Sequence, residues 1–134
     1  MKEIKVNGVE ETVKVAEDFA GQLKKGDVIL LNGEMGAGKT HFVKGLAKGL
    51  GITEEVTSPT YAYLNVYDDF LFHYDCYRLS SYEDALRLGL NDYFGEDCVC
   101  VMEWSENIKE LIPDYAKTVE IEITGENTRT IRFL

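Results

Sequence analysis

The 134-residue sequence predicts a three-layer α/β domain, built on a central, mostly parallel sheet with antiparallel hairpins and flanking helices. Three observations carry that expectation. Gly33-Glu34-Met35-Gly36-Ala37-Gly38-Lys39-Thr40 fits the phosphate-loop pattern G-x-x-x-x-G-K-[ST], with an apolar run before it (Asp27 to Leu31) and a helical repeat after it. Cys98 to Met102 is a second wholly apolar run, the pattern of a strand buried on both faces. Two further stretches, Tyr61 to Asp75 and Thr118 to Phe133, divide into strand pairs around polar turns. A chain of this length supports one ordinary core, so residues 1–134 are read as a single domain of P-loop NTPase-like type.

Taken in order, residues 2–6 suit a short strand, Asn7-Gly8 a turn, and Val9 to Leu23 an amphipathic helix with Val13, Ala16, Ala20 and Leu23 on one face. Lys24-Lys25-Gly26 is a fitting helix end, because cations favour a C-terminus and glycine the position beyond it. After the loop, Phe42/Val43, Leu46/Ala47 and Leu50 recur at helical spacing, with His41, Lys44 and Lys48 opposite and Gly49 and Gly51 as the stop. A polar connection, Thr53 to Thr57, leads to Ser58-Pro59-Thr60-Tyr61 and a hairpin with strands Tyr61 to Tyr67 and Phe70 to Asp75 around Asp68-Asp69. Tyr82 to Leu90 reads as a helix capped by Ser80 or Ser81, with Glu83 and Asp84 in its first turn and Ala85, Leu86 and Leu88 as its apolar positions. Ser105 to Leu111 suits a short helix closed by Pro113, and the last hairpin, Thr118 to Thr124 and Thr128 to Phe133, turns at Gly125-Glu126-Asn127.

The charge balance restricts partners. Lysine and arginine total 14 against 24 aspartates and glutamates, a net charge of −10, and no basic cluster exceeds Lys24-Lys25. Unaided binding to RNA or DNA is therefore disfavoured, whereas an acidic surface suits docking on a basic protein. Cys76, Cys98 and Cys100 form no disulfide framework and lack a second pair of soft ligands for zinc, so they are read as buried structural thiols. No apolar run approaches the ~20 residues that span a bilayer, and Met1 to Lys5 lacks a signal-peptide core, which together place the chain in the cytoplasm with no membrane partner.

The phosphate loop sets the expected chemistry. Its backbone N–H groups, from Glu34, Met35, Gly36, Ala37, Gly38 and Lys39 through Thr40 and His41, converge on a nucleoside triphosphate at a helix N-terminus. Lys39 brings a compact positive charge to the β and γ phosphates, and the Thr40 hydroxyl is a ligand for Mg²⁺. Such a loop needs a carboxylate at the end of a neighbouring strand. Glu103 is favoured for the metal because its strand better matches a buried parallel one, and Asp75 is assigned to the attacking water or to the ion through water. Thr60 and Ser58 either sense a γ-phosphate or merely close a turn. His73 is a base, an orienting group or a packed histidine; Arg78 is a phosphate-reaching finger or one half of a salt bridge. Trp104, directly after Glu103, either sits beside the site or packs in the core or against a partner.

Gly33-x-x-Gly36-Ala37-Gly38-Lys39-Thr40, Ser58-Pro59-Thr60-Tyr61, His73-x-Asp75-x-Tyr77-Arg78-Leu79 and Glu103-Trp104-Ser105-Glu106, in that order and spacing, resemble the bacterial TsaE (YjeE-type) family over nearly the whole chain. The resemblance implies a small P-loop ATPase that binds ATP/ADP with Mg²⁺ and works with TsaB and TsaD in making threonylcarbamoyladenosine at position 37 of tRNA. It implies Lys39 and Thr40 at phosphate and metal, Thr60 in a switch-like loop, and Asp75 and Glu103 as essential acids. His41 and Cys76 depart from the family pattern, which more often has a small hydroxyl and an aliphatic residue there. Two rival readings stand beside it. A small-molecule kinase is weakened by the scarcity of arginines, limited to Arg78, Arg87, Arg129 and Arg132. A nucleotide-sensing interaction module without useful hydrolysis is the other, and a GTPase is disfavoured because no N-K-x-D-type segment is present.

Overall fold

The computed structural model describes residues 2–57 and 63–134; the Ser58 to Tyr61 segment, and with it the expected role of Thr60, lies outside the described residues. The elements run β1 (Lys2–Asn7), α1 (Val9–Ala20), β2 (Val28–Asn32), α2 (Lys39–Gly49), β3 (Leu64–Tyr67), β4 (Leu71–Asp75), α3 (Tyr82–Arg87), β5 (Val99–Glu103), β6 (Lys117–Ile123) and β7 (Thr128–Phe133). They form one sheet in the order β1-β7-β6-β2-β5-β4-β3. The four middle strands, β6, β2, β5 and β4, are parallel. The flanks are antiparallel, β3 on β4 and β7 between β6 and β1.

The apolar runs occupy the centre because both of their faces are covered. Ile29 and Leu31 of β2, with Val99, Val101, Val119 and Ile121, face α1 and α2. Val28, Cys100, Met102, Phe72 and Tyr74 face the opposite layer, where α3 and the 3₁₀ turns at Leu90–Tyr93 and Ser105–Leu111 lie. The first layer is the tighter. Gly45 and Gly49 of α2 lie against α1 so closely that a Cβ on Gly45 would stand 2.6 Å from the Cβ of Ala16, and one on Gly49 2.6 Å from that of Ala20. These two glycines let the helix backbones approach, and so fix the position of the helix whose first residues are Lys39 and Thr40.

Several boundaries differ from the expected ones. α1 ends at Ala20 rather than Leu23, since Gly21, Gln22 and Leu23 donate to Asp18, Phe19 and Ala20 in a tightened final turn. The Asp27 carboxylate then captures the Lys24 N–H at 2.9 Å, turning the chain before the lysines extend the helix. α3 stops at Arg87 because Gly89 adopts φ 70°, and the expected cap is indirect: the Ser80 hydroxyl donates to Asp84 at 2.6 Å, while Ser81 makes no side-chain capping bond. Ala85 is buried as expected, but Leu86 and Leu88 are 46% and 53% exposed. The Asp68-Asp69 turn holds both residues at φ 54°, a region aspartate tolerates, with the Asp68 carboxylate accepting from the Thr53 N–H and hydroxyl. Those bonds hold Asp68 below the usual carboxylate range.

The cysteines are free and buried, the Cys98 and Cys100 sulfurs 4.0 Å apart on one face of β5. Among the described residues no helix is long and apolar enough to cross a membrane.

Candidate functional site

Parallel strands end at one edge of a sheet, and here three of those ends lie side by side. In register, Leu31 of β2 pairs with Glu103 of β5, which pairs with Asp75 of β4. The loop from Gly33 to Gly38 leaves β2 at that edge and delivers Lys39 and Thr40 at the start of α2. Gly36 and Gly38 take φ 86° and 102°, conformations that reverse successive peptide planes and that residues with a Cβ rarely adopt. Successive N–H groups in such a conformation can form an anion-binding concavity, although the Ala37 N–H is spent on the Glu34 carbonyl.

A cleft of about 350 Å³ opens over this edge, lined by Met35, Gly36 and the residues from Gly38 to His41 together with Asp75, Tyr77, Glu103 and Trp104. The structure thus brings Lys39, Thr40, His41, Asp75 and Glu103 together. Met35 is largely exposed at the rim, Ala37 is buried behind the loop, and Glu34 contributes its carbonyl to the turn, accepting from the Ala37 N–H at 3.0 Å. Arg78 does not line the cleft.

Within it Lys39 and Glu103 are paired. The Lys39 ammonium lies 3.6 Å from Glu103 Oε1 and 4.9 Å over the Trp104 ring. The other carboxylate oxygen, Glu103 Oε2, is 2.6 Å from Nε2 of His73, a side chain wholly removed from solvent. His73 thus contacts one oxygen of Glu103 while the second faces Lys39. His73 Nδ1 has no hydrogen-bond partner among the described residues. Of the three readings its sequence position left open, the packed histidine is met by the complete burial of the ring, and the contact with Glu103 is one that an orienting group would also make. Asp75 Oδ1 accepts from the Tyr77 N–H at 3.0 Å, and Asn107 bonds the Cys76 and Tyr77 carbonyls, so the chain after β4 is held against the cleft.

Trp104 sits at φ 58°, strained for a bulky residue by roughly 1–3 kcal/mol. Regular strand alternation would turn it away from Glu103. The left-handed residue instead bends the chain so that both side chains line one cleft, with the Tyr77 ring 4.9 Å from the indole. Behind the loop, a second cleft of about 170 Å³ is shared by Gly36, Gly38 and His41 with Thr12, Asn127 and Arg129. Sequence reasoning missed Arg129, whose one signal was its place beside the turn of the last hairpin.

Strand order, loop and strand-end acids define an α/β domain of P-loop NTPase-like architecture. The model of the family described as threonylcarbamoyl adenosine biosynthesis protein TsaE matches residues 6–131, and the chain belongs to that family. It is 41% identical to the tRNA threonylcarbamoyladenosine biosynthesis protein TsaE of Bacillus subtilis, over 99% of this chain and 86% of that one. The protein of the same description from Treponema pallidum is 44% identical, over 81% and 82%. The crystal structure of Bacillus subtilis YdiB superposes with a TM-score of 0.80 at 38% identity, covering 98% of this chain and 84% of that one.

Proposed function

We propose that the chain binds and hydrolyses ATP in support of threonylcarbamoyladenosine formation on tRNA, acting with TsaB and TsaD. The observation that carries this reading is the convergence of Lys39 and Thr40 with Glu103 and Asp75 in one cleft at the ends of parallel strands, where nucleotides bind in open α/β sheets. The family membership supplies the pathway.

The donor set fits Mg²⁺. That ion favours oxygen ligands and uses one or two carboxylates beside substrate phosphates, and Thr40, Glu103 and Asp75 offer hard oxygens on one cleft wall. Among the described residues no cluster of three or more His, Cys, Asp or Glu is arranged as a dedicated cage, which agrees with a metal that arrives with its nucleotide. When bound, Mg²⁺ neutralises charge on the β and γ phosphate oxygens. Lys39 exchanges its contact with Glu103 for phosphate. Glu103 stays fixed through His73 as the metal-side acid, and Asp75 orients the attacking water. The nucleoside is assigned to the cleft behind the loop, which has Gly36, Gly38 and His41 in common with the first.

The acidic balance of 14 against 24 charged residues supports the indirect part of the reading: the chain reaches tRNA through its partners. Phosphate release by the isolated chain should be slow, should rise with TsaB and TsaD, and should vanish in Lys39→Ala, which should also weaken ADP binding while the circular dichroism spectrum is retained. Tight ADP binding with no phosphate release under either condition would instead make the chain a nucleotide-sensing module. Tight tRNA binding by the chain alone at physiological salt would refute the indirect role.

A further inference from the structure

Arg129 of β7 lies on the side of the phosphate loop away from the acids and directs its guanidinium at main-chain carbonyls. Nε donates to the Ala37 carbonyl at 3.3 Å and Nη2 to the Gly36 carbonyl at 3.2 Å. Nη1 donates to the carbonyls of Thr128 at 2.8 Å, Gly125 at 3.0 Å and Glu126 at 3.5 Å, all in its own hairpin. One rigid, planar group therefore ties two consecutive loop peptides to the turn between β6 and β7.

A trans peptide is planar, with its C=O and N–H pointing opposite ways, so a held carbonyl also fixes the direction of the next residue's N–H. The Ala37 carbonyl belongs to the peptide that carries the Gly38 N–H, and Gly38 lines the acid-bearing cleft. The Gly36 carbonyl belongs to the peptide whose N–H closes the turn onto Glu34 at 3.0 Å. Glycines at positive φ on both sides would otherwise leave these planes free to rotate. A permanent cation on the carbonyl end also polarises the peptide, making its N–H a better donor to an anion.

We propose that Arg129 is a positioning residue for the diphosphate of a nucleotide, clamping the phosphate loop from outside in the shape that keeps its turn closed and presents the Gly38 N–H to the cleft. The proposal rests on the reading of the loop as a phosphate site, but its first consequence needs no ligand. In Arg129→Ala, amide hydrogen exchange at Ala37 and Gly38 in the nucleotide-free protein should rise about tenfold or more, as expected for loss of charge-assisted bonds, while exchange in β2 and β5 stays unchanged. ADP affinity measured by calorimetry should fall about tenfold or more. Arg129→Lys keeps the charge but lacks the planar fork that reaches the loop and hairpin carbonyls together, and should fall between the two.

Unchanged loop exchange with unchanged ADP affinity in Arg129→Ala would overturn the proposal. So would a uniform rise in exchange across the sheet, since that would make Arg129 a staple of the hairpin alone. If Arg129→Ala does not fold, Arg129→Lys decides: loop exchange and ADP affinity equal to the parent's would refute the clamp. If the parent binds no ADP while the substitution still loosens Ala37 and Gly38, the phosphate-site reading fails and the clamp on the loop stands.

Discussion

Alanine at Gly45 is a test in which two well-known effects oppose each other. In an exposed helix interior the exchange of glycine for alanine stabilises by about 1 kcal/mol. Gly45 is buried, however, and its new methyl would stand 2.6 Å from Ala16 Cβ and within van der Waals overlap of the Val13 carbonyl oxygen. Neither obstacle is the end of a flexible side chain. Ordinary carbon contacts lie near ~3.5–4.0 Å, so α1 and α2 must separate by roughly 1 Å, and a gap of that size forfeits about a quarter to a half of each contact along the seam. Overpacking of this kind costs about 1–3 kcal/mol, and the upper part of that range applies where backbone is the obstacle. Net of the helical gain, a loss of about 1–2 kcal/mol is expected, or a fall in Tm of roughly 3–8 °C for a domain of this size. Thermal unfolding followed by circular dichroism measures it. Gly49→Ala should shift the same way, since its methyl would meet Glu17 and Ala20 at 2.6 Å, while Gly21→Ala, with one neighbour at 3.3 Å, should change little. A Gly45→Ala protein melting at or above the parent temperature would show that the seam is not close-packed and that propensity governs.

Glu103→Ala and Asp75→Ala should each lose hydrolysis more than ADP binding; equal losses of both would indicate misfolding, and normal hydrolysis would remove that acid from the site. Because the Lys39 ammonium lies 4.9 Å over the Trp104 ring, ADP with Mg²⁺ should change tryptophan emission saturably as Lys39 moves to phosphate; an unchanged spectrum beside calorimetric proof of binding would refute that exchange. Burial pushes the Cys76 and Cys100 thiols up from 9.0 to about 12, so the native state keeps protons that the unfolded state releases. The stability they contribute is complete below pH 9.0 and is lost as pH rises toward about 12. Cys100→Ala should therefore show a smaller drop in denaturation midpoint between about pH 8 and pH 11 than the parent; an equal drop would assign the alkaline loss elsewhere.

What could be read from the sequence was what neighbouring residues encode. The loop motif, the two central strands and the second hairpin each declare themselves within a short stretch of neighbouring residues, through glycine spacing, unbroken apolar runs or alternation. The pairing of His73 with Glu103 spans 30 positions and exists only because β4 and β5 are adjacent and in register. Arg129 reaches Ala37 across 92 positions, through a strand order that no local pattern specifies. Trp104 was left between the site and the core or a partner, because its left-handed backbone, which brings it beside Glu103 on the same cleft, is a tertiary compromise. The apolar spacing of Leu86 and Leu88 suggested burial, yet α3 buries Ala85 and leaves Leu86 on the surface, and Leu88 lies beyond its end and is exposed too. Helix ends moved for a similar reason: Gly89 and the Asp27 carboxylate stop chains that propensity alone would extend.

The strand order also sets a timetable for biosynthesis. β2, the strand that launches the phosphate loop, finds both of its neighbours, β5 and β6, in the second half of the chain, and β1 finds its partner only in β7. Contacts this remote in sequence delay folding, because a long loop must close before any pairing rewards it. A ribosome that has released α1, β2 and α2 thus holds an apolar strand with two open edges, the kind of surface that chaperones shield. Chains stalled before β7 emerges should remain protease-sensitive through the loop, and chains stalled after it has cleared the ribosome should not. The loop is made early and acquires its bracing last, when almost the whole polypeptide is out.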